Sequence, residues 1–151
     1  MAACEVWFYH LERSALEQVL PGLLDKTLAR GWRGIVRTTN AERAEGLDQH
    51  LWTYRDDSFL PHGMATEPLA DRQPVLITTD EANANQANAL FLIDNAEPGS
   101  LDSYERCIIL FDGRDEDQLA AARGRWKTLK AEGRPVSYWK ENPDRGWEKQ
   151  A

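Results

Sequence analysis

Glu105-Arg106-Cys107-Ile108-Ile109-Leu110-Phe111-Asp112-Gly113 is the stretch that decides the fold. Its centre, Cys107 to Phe111, is among the longest unbroken apolar runs in the chain. A strand with one wet face alternates apolar and polar residues. A short run without alternation suits a strand buried on both faces, as in a parallel sheet with helices on either side. The run is also far too short to cross a membrane.

C-terminal to it, Asp115 offers a helix cap. Leu119, Ala122, Trp126 and Leu129 then follow on one helical face, and Gly133 closes the helix. Val136 to Trp139 reads as the last core strand.

N-terminal to it, Leu90 to Ile93 reads as another doubly buried strand and Val75 to Thr78 as a short one. Asn83, Asn85 and Asn88 sit around Ala-rich turns that also allow one short helix. Residues 53 to 74 carry Pro61, Gly63, Pro68 and Pro74 and read as a long loop, of the kind that usually serves function.

The first third repeats strand and helix. Glu5 to Tyr9 is a strand. Ser14 and Glu17 form a capping-box pattern before Leu16, Val19, Leu20, Leu23, Leu24 and Leu28 at helical spacing. Pro21 inside that helix is expected to kink or divide it. Gly34 to Thr38 is the second strand. Thr39 and Glu42 make a second capping pattern, and Ala44, Leu47 and Leu51 mark the next apolar face, weakened by Gly46. The alternation predicts a three-layer α/β/α, Rossmann-like fold with a mostly parallel sheet. A length of 151 residues fits a single domain, 1–151, with an ordered core over about 4–140 and a short polar C-terminal tail that holds Trp147.

Composition narrows the function. The net charge of −7 gives no overall field to attract a phosphate backbone, so nucleic acid is expected as an indirect partner, with a local basic patch the exception to look for. The N-terminus has no basic region followed by an apolar one. Cys4 and Cys107 read as reduced, buried thiols. A cytoplasmic protein with no membrane association and no cofactor is the expectation.

Enzyme chemistry finds little support. A phosphate-binding α/β fold needs glycines in its first strand-to-helix turn, so that backbone N–H groups can approach the anion. Here that turn is His10-Leu11-Glu12-Arg13-Ser14. His10, His50 and His62 are scattered without metal-ligand spacing, and no Gly-x-Ser-x-Gly elbow occurs. Asp56 and Asp57 read as a solvated turn. Asp112, Asp115, Glu116 and Asp117 read as negative charge at a helix N-terminus rather than as a cation site.

Two constellations remain. Arg123, Lys127 and Lys130 recur at i, i+4 and i+7 as a basic stripe, with Trp126 at its edge and Arg125 and Arg134 nearby. The stripe fits a solvated helix face and equally a small pocket for a peptide ending in acidic and aromatic residues. Trp126 suits the pocket or the core by its spacing. The second constellation is Leu51-Trp52-Thr53-Tyr54 followed by Ser58-Phe59-Leu60-Pro61-His62-Gly63. Trp52 leans off the inward face, and Phe59 and Leu60 sit in a loop, as in a protein-binding surface or in a loop that folds back on itself.

Taken together, these segments resemble the chi subunit family of bacterial DNA polymerase III. The resemblance runs through Phe8-Tyr9-His10-Leu11, Leu47-Asp48-x-x-Leu51-Trp52-Thr53 and Ser58-Phe59-Leu60-Pro61-His62-Gly63. It continues through Gln73-Pro74-Val75, Asn88-Ala89-Leu90-Phe91-Leu92 and residues 105–113, then Ala122-Arg123-x-x-Trp126-Lys127-x-Leu129-Lys130 and Tyr138-Trp139. The Leu-Trp and Phe-Leu-Pro-His pieces are its most specific part. The resemblance implies a non-catalytic replisome adaptor, an accessory subunit of the polymerase holoenzyme. It implies that Arg123, Trp126 and Lys127, with Lys130 beside them, hold the acidic C-terminal tail of single-stranded-DNA-binding protein. It implies that Trp52 and Phe59, with Leu60 next to them, meet the psi subunit of the clamp loader. Where psi is lacking, that surface would meet the clamp loader directly or a repair-type helicase. The late-helix aromatic is tryptophan here, where the family also uses tyrosine. The rival readings are a helicase accessory factor outside the polymerase and an enzyme with a degenerate nucleotide site.

Overall fold

The structure is a computed structural model that describes residues 4–53, 61–142 and 146–150. Eight strands form one sheet in the order β3-β4-β2-β5-β6-β1-β7-β8. They are β1 (Glu5–Leu11), β2 (Gly34–Arg37), β3 (Gly63–Met64), β4 (Val75–Thr78), β5 (Ala89–Leu92), β6 (Arg106–Asp112), β7 (Val136–Asn142) and β8 (Gly146–Lys149). Every neighbouring pair is parallel except β7 with β8. Helices α1 (Leu16–Ala29), α2 (Ala41–Thr53) and α3 (Glu116–Ala131) cover the sheet.

Strand periodicity divides the core into two layers. Val6, Phe8, Cys107 and Ile109 face Ala122 and Leu129 of α3. Tyr9, Ile108 and Leu110 face the other way, toward Leu20 and Leu24 of α1 and Leu47 of α2. The apolar run 107–111 is therefore wanted on both sides, and all five residues are buried. The three-layer, mostly parallel architecture expected from the sequence is what forms.

Several local readings shift. The cap of α1 is Ala15, not Ser14. The side-chain carbonyl of Gln18 accepts the Ala15 N–H at 2.8 Å, which leaves Ser14 for another role. At α2 the side-chain Oδ1 of Asn40 accepts the Arg43 N–H at 2.7 Å, so the cap again lies one residue past the expected Thr39. Pro21 neither divides nor ends α1, which runs unbroken from Leu16 to Ala29. Proline has no N–H for the carbonyl four residues back, Glu17. His50 of α2 supplies the partner instead, its Nε2 lying 2.7 Å from that oxygen.

The 83–88 segment forms no helix. Asn85 is fully buried there and donates to the carbonyls of Gly34 and Gln73. In the described part of the long loop, from residue 61 on, lie β3 and a 3-10 turn at Ala70–Arg72. Trp147, assigned above to a polar tail, belongs to β8, which extends the sheet past β7 and brings the indole against Tyr9 with centroids 4.6 Å apart.

Candidate functional site

In doubly wound folds the crevice at the carboxyl ends of the strands, where successive crossovers leave on opposite faces, is the usual ligand site. Here β1 leads to α1 on one face, and its neighbour β6 leads to α3 on the other. A cavity of about 210 Å³ lies at that point. Its walls include Glu17, Arg43, Asp94 and Arg114. Arg43 bridges Glu17 and Asp94, lying 2.7 Å from the latter. Arg114 pairs with Asp112 at 2.9 Å. Asp115 accepts the N–H groups of Asp117 and Gln118, so the acidic cluster serves as a helix cap and in one ion pair.

The anion cradle beside this crevice is filled from within. The backbone N–H groups of Glu12, Arg13 and Ser14 converge on one carboxylate oxygen of Glu141, at 3.1, 2.8 and 2.9 Å. The Ser14 hydroxyl donates to the other oxygen. Burial by itself would raise this carboxyl. The Ser14 hydroxyl and the three N–H groups outweigh it and bring the pKa down to about 2. The first strand-to-helix turn thus binds an anion without glycine, and the anion belongs to β7.

The basic stripe sits on α3. Arg123, Lys127 and Lys130 are exposed, and Trp126 is half-buried beside them. The spacing of Trp126 fitted both core and pocket, and the structure gives it a share of each. Its ring meets Phe8 edge-on at 5.4 Å and Tyr138 edge-on at 5.8 Å, while Lys130 Nζ lies 5.7 Å from its centroid. Arg125 and Arg134 do not extend the stripe. Arg125 turns toward the β5–β6 connection, donating to the Asn95 carbonyl and lying 3.6 Å from Glu97, and Arg134 lies near Asp102.

The sheet adds groups that the sequence reading did not connect with the stripe. Tyr138 Oη is 2.6 Å from His10 Nδ1. Burial lowers the pKa of His10, and Lys140 and Arg123 act in the same direction against Glu12. Gly113 is what lets His10 sit there, because a Cβ at that position would stand 1.8 Å from the imidazole. The separation of His10 from Tyr138 along the chain hides this pair, and only the parallel β1–β7 register brings it together.

At the end of α2, Trp52 is 48% exposed, with its ring 4.4 Å from that of His62. His62 itself is buried and lies 3.1 Å from the Asp48 carboxylate. Phe59 and Leu60, and the Asp56–Asp57 pair, lie outside the described residues. Cys4 and Cys107 are free, buried thiols, and desolvation pushes Cys4 up to about 11. Among the described residues no helix is long and apolar enough to cross a membrane.

These features define a class: a mostly parallel α/β/α domain that closes its own anion cradle and carries a cationic, aromatic face on its last helix. A family model described as DNA polymerase III chi subunit, HolC, matches residues 4–137, and the chain belongs to that family. It is 27% identical over 103 residues to the probable DNA polymerase III subunit chi of Rickettsia prowazekii, a match spanning 68% of this chain and 62% of that protein. It is 26% identical over 124 residues to the DNA polymerase III subunit chi of Pseudomonas aeruginosa, spanning 82% of this chain and 84% of that one. Family membership makes it, by name, an accessory subunit of a bacterial replicative polymerase.

Proposed function

We propose that this chain is a non-catalytic, cytoplasmic adaptor of the replisome. It links the clamp loader to the acidic C-terminal tail of single-stranded-DNA-binding protein. The observation that carries the reading is the α3 face, where exposed Arg123, Lys127 and Lys130 flank an indole held in place by Phe8 and Tyr138. The cations meet the peptide's carboxylates, and the fixed ring offers a surface for an aromatic residue at the peptide's end. Many tails on one coated strand raise the effective concentration of a contact that is weak singly.

The large partner is the psi subunit or the clamp loader itself, with a repair-type helicase as the competing occupant. Exposed Trp52 supports its site at the end of α2, and Phe59 and Leu60, which follow in the sequence, are proposed to share it. The Glu141 carboxylate in the β1–α1 turn supports the absence of nucleotide chemistry, since a phosphate would have to displace it.

Titrating a labelled acidic peptide that ends in phenylalanine tests the tail site. Lys127→Ala is expected to weaken binding about tenfold, through loss of one charge-assisted contact, and to leave the melting temperature almost unchanged. Affinity is expected to fall as salt rises. Equal affinities for wild type and variant at low and high salt would remove the assignment.

A further inference from the structure

The face of the sheet opposite α3 carries a second aromatic and cationic surface. Packing of α1 over β2 and β6, and of α2 over β3 and β4, leaves that side of β1, β7 and β8 to aromatic side chains. Trp7, Trp32, Trp139 and Trp147 gather there, four of the six tryptophans in the chain, and all are half-buried. Trp7 stacks on Trp139 with centroids 5.6 Å apart and planes 30° apart. The Arg106 guanidinium lies 4.0 Å from the centroid of Trp7 and 5.2 Å from that of Trp32, and Arg30 lies 4.0 Å from Trp32 on its own account. The result is a ladder that opens on the Trp139–Trp7 pair and continues through Arg106, Trp32 and Arg30.

A cavity of about 170 Å³ opens beside it, with Trp7, Trp32, Trp147 and Tyr9 among its walls and Ile108 and Leu23 as an apolar floor. Among the described residues its charged lining is Lys26, Arg30 and Arg106, three cations and no carboxylate. In a chain of net charge −7 that is a marked local reversal. Arg106 is held by Glu5 at 3.2 Å, so it orders the ladder more than it offers charge. Lys26 and Arg30 lie one turn apart near the end of α1 and, among the described residues, neither has an ion-pair partner.

We infer that this cavity binds single-stranded nucleic acid, a base entering against the indoles and guanidinium groups while Lys26 and Arg30 take the flanking phosphates. Stacking on aromatic and guanidinium planes is tolerant of base identity, and exposed Lys26 and Arg30 put positive charge beside the indoles for the flanking phosphates. A duplex buries its base faces and has nothing to offer the slot. The site is on the other face of the sheet from the α3 stripe, so it stands apart from the tail reading. One face would hold the coat protein, and the other would touch the strand it covers.

The test is titration of the full chain with a short oligodeoxythymidylate, read by tryptophan fluorescence. Quenching is expected, with log affinity falling against log salt at a slope of roughly −1.4 to −2 for two or three cations on a single strand. Lys26→Glu with Arg30→Glu is expected to weaken binding at least about tenfold while the melting temperature holds, and Trp32→Phe to weaken it by a smaller factor. The Lys127→Ala variant is expected to bind the oligonucleotide as wild type does, and a duplex of the same length not to compete. No quenching at low salt overturns the proposal. So does an oligonucleotide affinity that follows Lys127 instead of Lys26 and Arg30, which would move the strand to α3. An acidic, phenylalanine-ending peptide that binds here and is lost in the Lys26–Arg30 variant, with no oligonucleotide binding, assigns the cavity to a peptide and overturns it as well.

Discussion

Glu141 shows how one side chain can substitute for a ligand. Its oxygens take three backbone N–H groups and a hydroxyl from the turn after β1, and so tie β7 to the start of α1. Its folded pKa, about 2, lies below the ordinary glutamate value of about 4.3. A depressed carboxylate contributes stability that is present above its unfolded pKa and is lost as pH falls through its folded one. The window for loss is therefore from about pH 4.5 down to about 2. Discounted for partial exposure, the contribution is about 1–2 kcal/mol. Glu141→Gln is expected to lower the melting temperature at pH 7 and to flatten the decline between pH 4.5 and 2.5, as followed by circular dichroism. A variant whose acid limb matches wild type would show that other carboxylates dominate there. Gly113 is a second single-residue dependence. Gly113→Ala has to displace the His10 ring, which breaks its bond to Tyr138 and disturbs the sheet beside Trp126.

Pro21 and His50 are coupled at the scale of elements. The proline leaves the Glu17 carbonyl of α1 without its helical donor, and the imidazole of α2 fills the vacancy across the helix pair. His50→Ala is expected to cost about 1 kcal/mol, typical of a carbonyl losing a good donor. The cost should shrink in a Pro21→Ala background, where residue 21 regains an N–H and can bond Glu17 itself. A double-mutant cycle by denaturant unfolding measures the coupling, and strictly additive effects would mean that the bond carries no energy. The caps of α1 and α2 teach a related point. Ser14 and Thr39 were reasonable N-caps by type, but both helices start one residue later: at α1 Glu141 recruits Ser14 and Gln18 takes the Ala15 N–H, and at α2 Asn40 takes the Arg43 N–H.

The whole molecule sets its two proposed protein partners on opposite faces. The apolar side of α2, which ends near Trp52, packs on the Tyr9–Leu110 layer, and α3 packs on the Phe8–Ile109 layer. With the sheet between them the sites share no side chains, and effects on them should add. Trp52→Ala is expected to weaken capture of the large partner by about 2 kcal/mol, the usual cost of an aromatic anchor, and to leave tail-peptide affinity unchanged. Co-purification from cells together with the peptide titration checks both halves. Intact capture of every large partner would make Trp52 a structural residue paired with His62. Trp126→Ala should behave otherwise, lowering both tail affinity and the melting temperature, since that ring also packs on Phe8 and Tyr138.

Sequence alone determined the layers. Hydrophobic runs at 90–93 and 107–111, with helical periodicity between strands, admit few arrangements besides a parallel sheet covered on both faces, because burial demand is written locally in the period. It also determined that Arg123, Lys127 and Lys130 share a helix face, since 3.6 residues per turn places them there in any fold. Only the tertiary structure decided what that face stands beside. His10 and Tyr138 meet through strand order, Glu141 finds its N–H groups across the sheet, and Trp147 joins Tyr9 by adding β8. The four clustered tryptophans come from three strands and the segment between α1 and β2, and nothing in their spacing announces a common face. Periodicity records which side of an element is buried. Which distant elements become neighbours depends on strand order and register, and these are set by the packing of the whole chain.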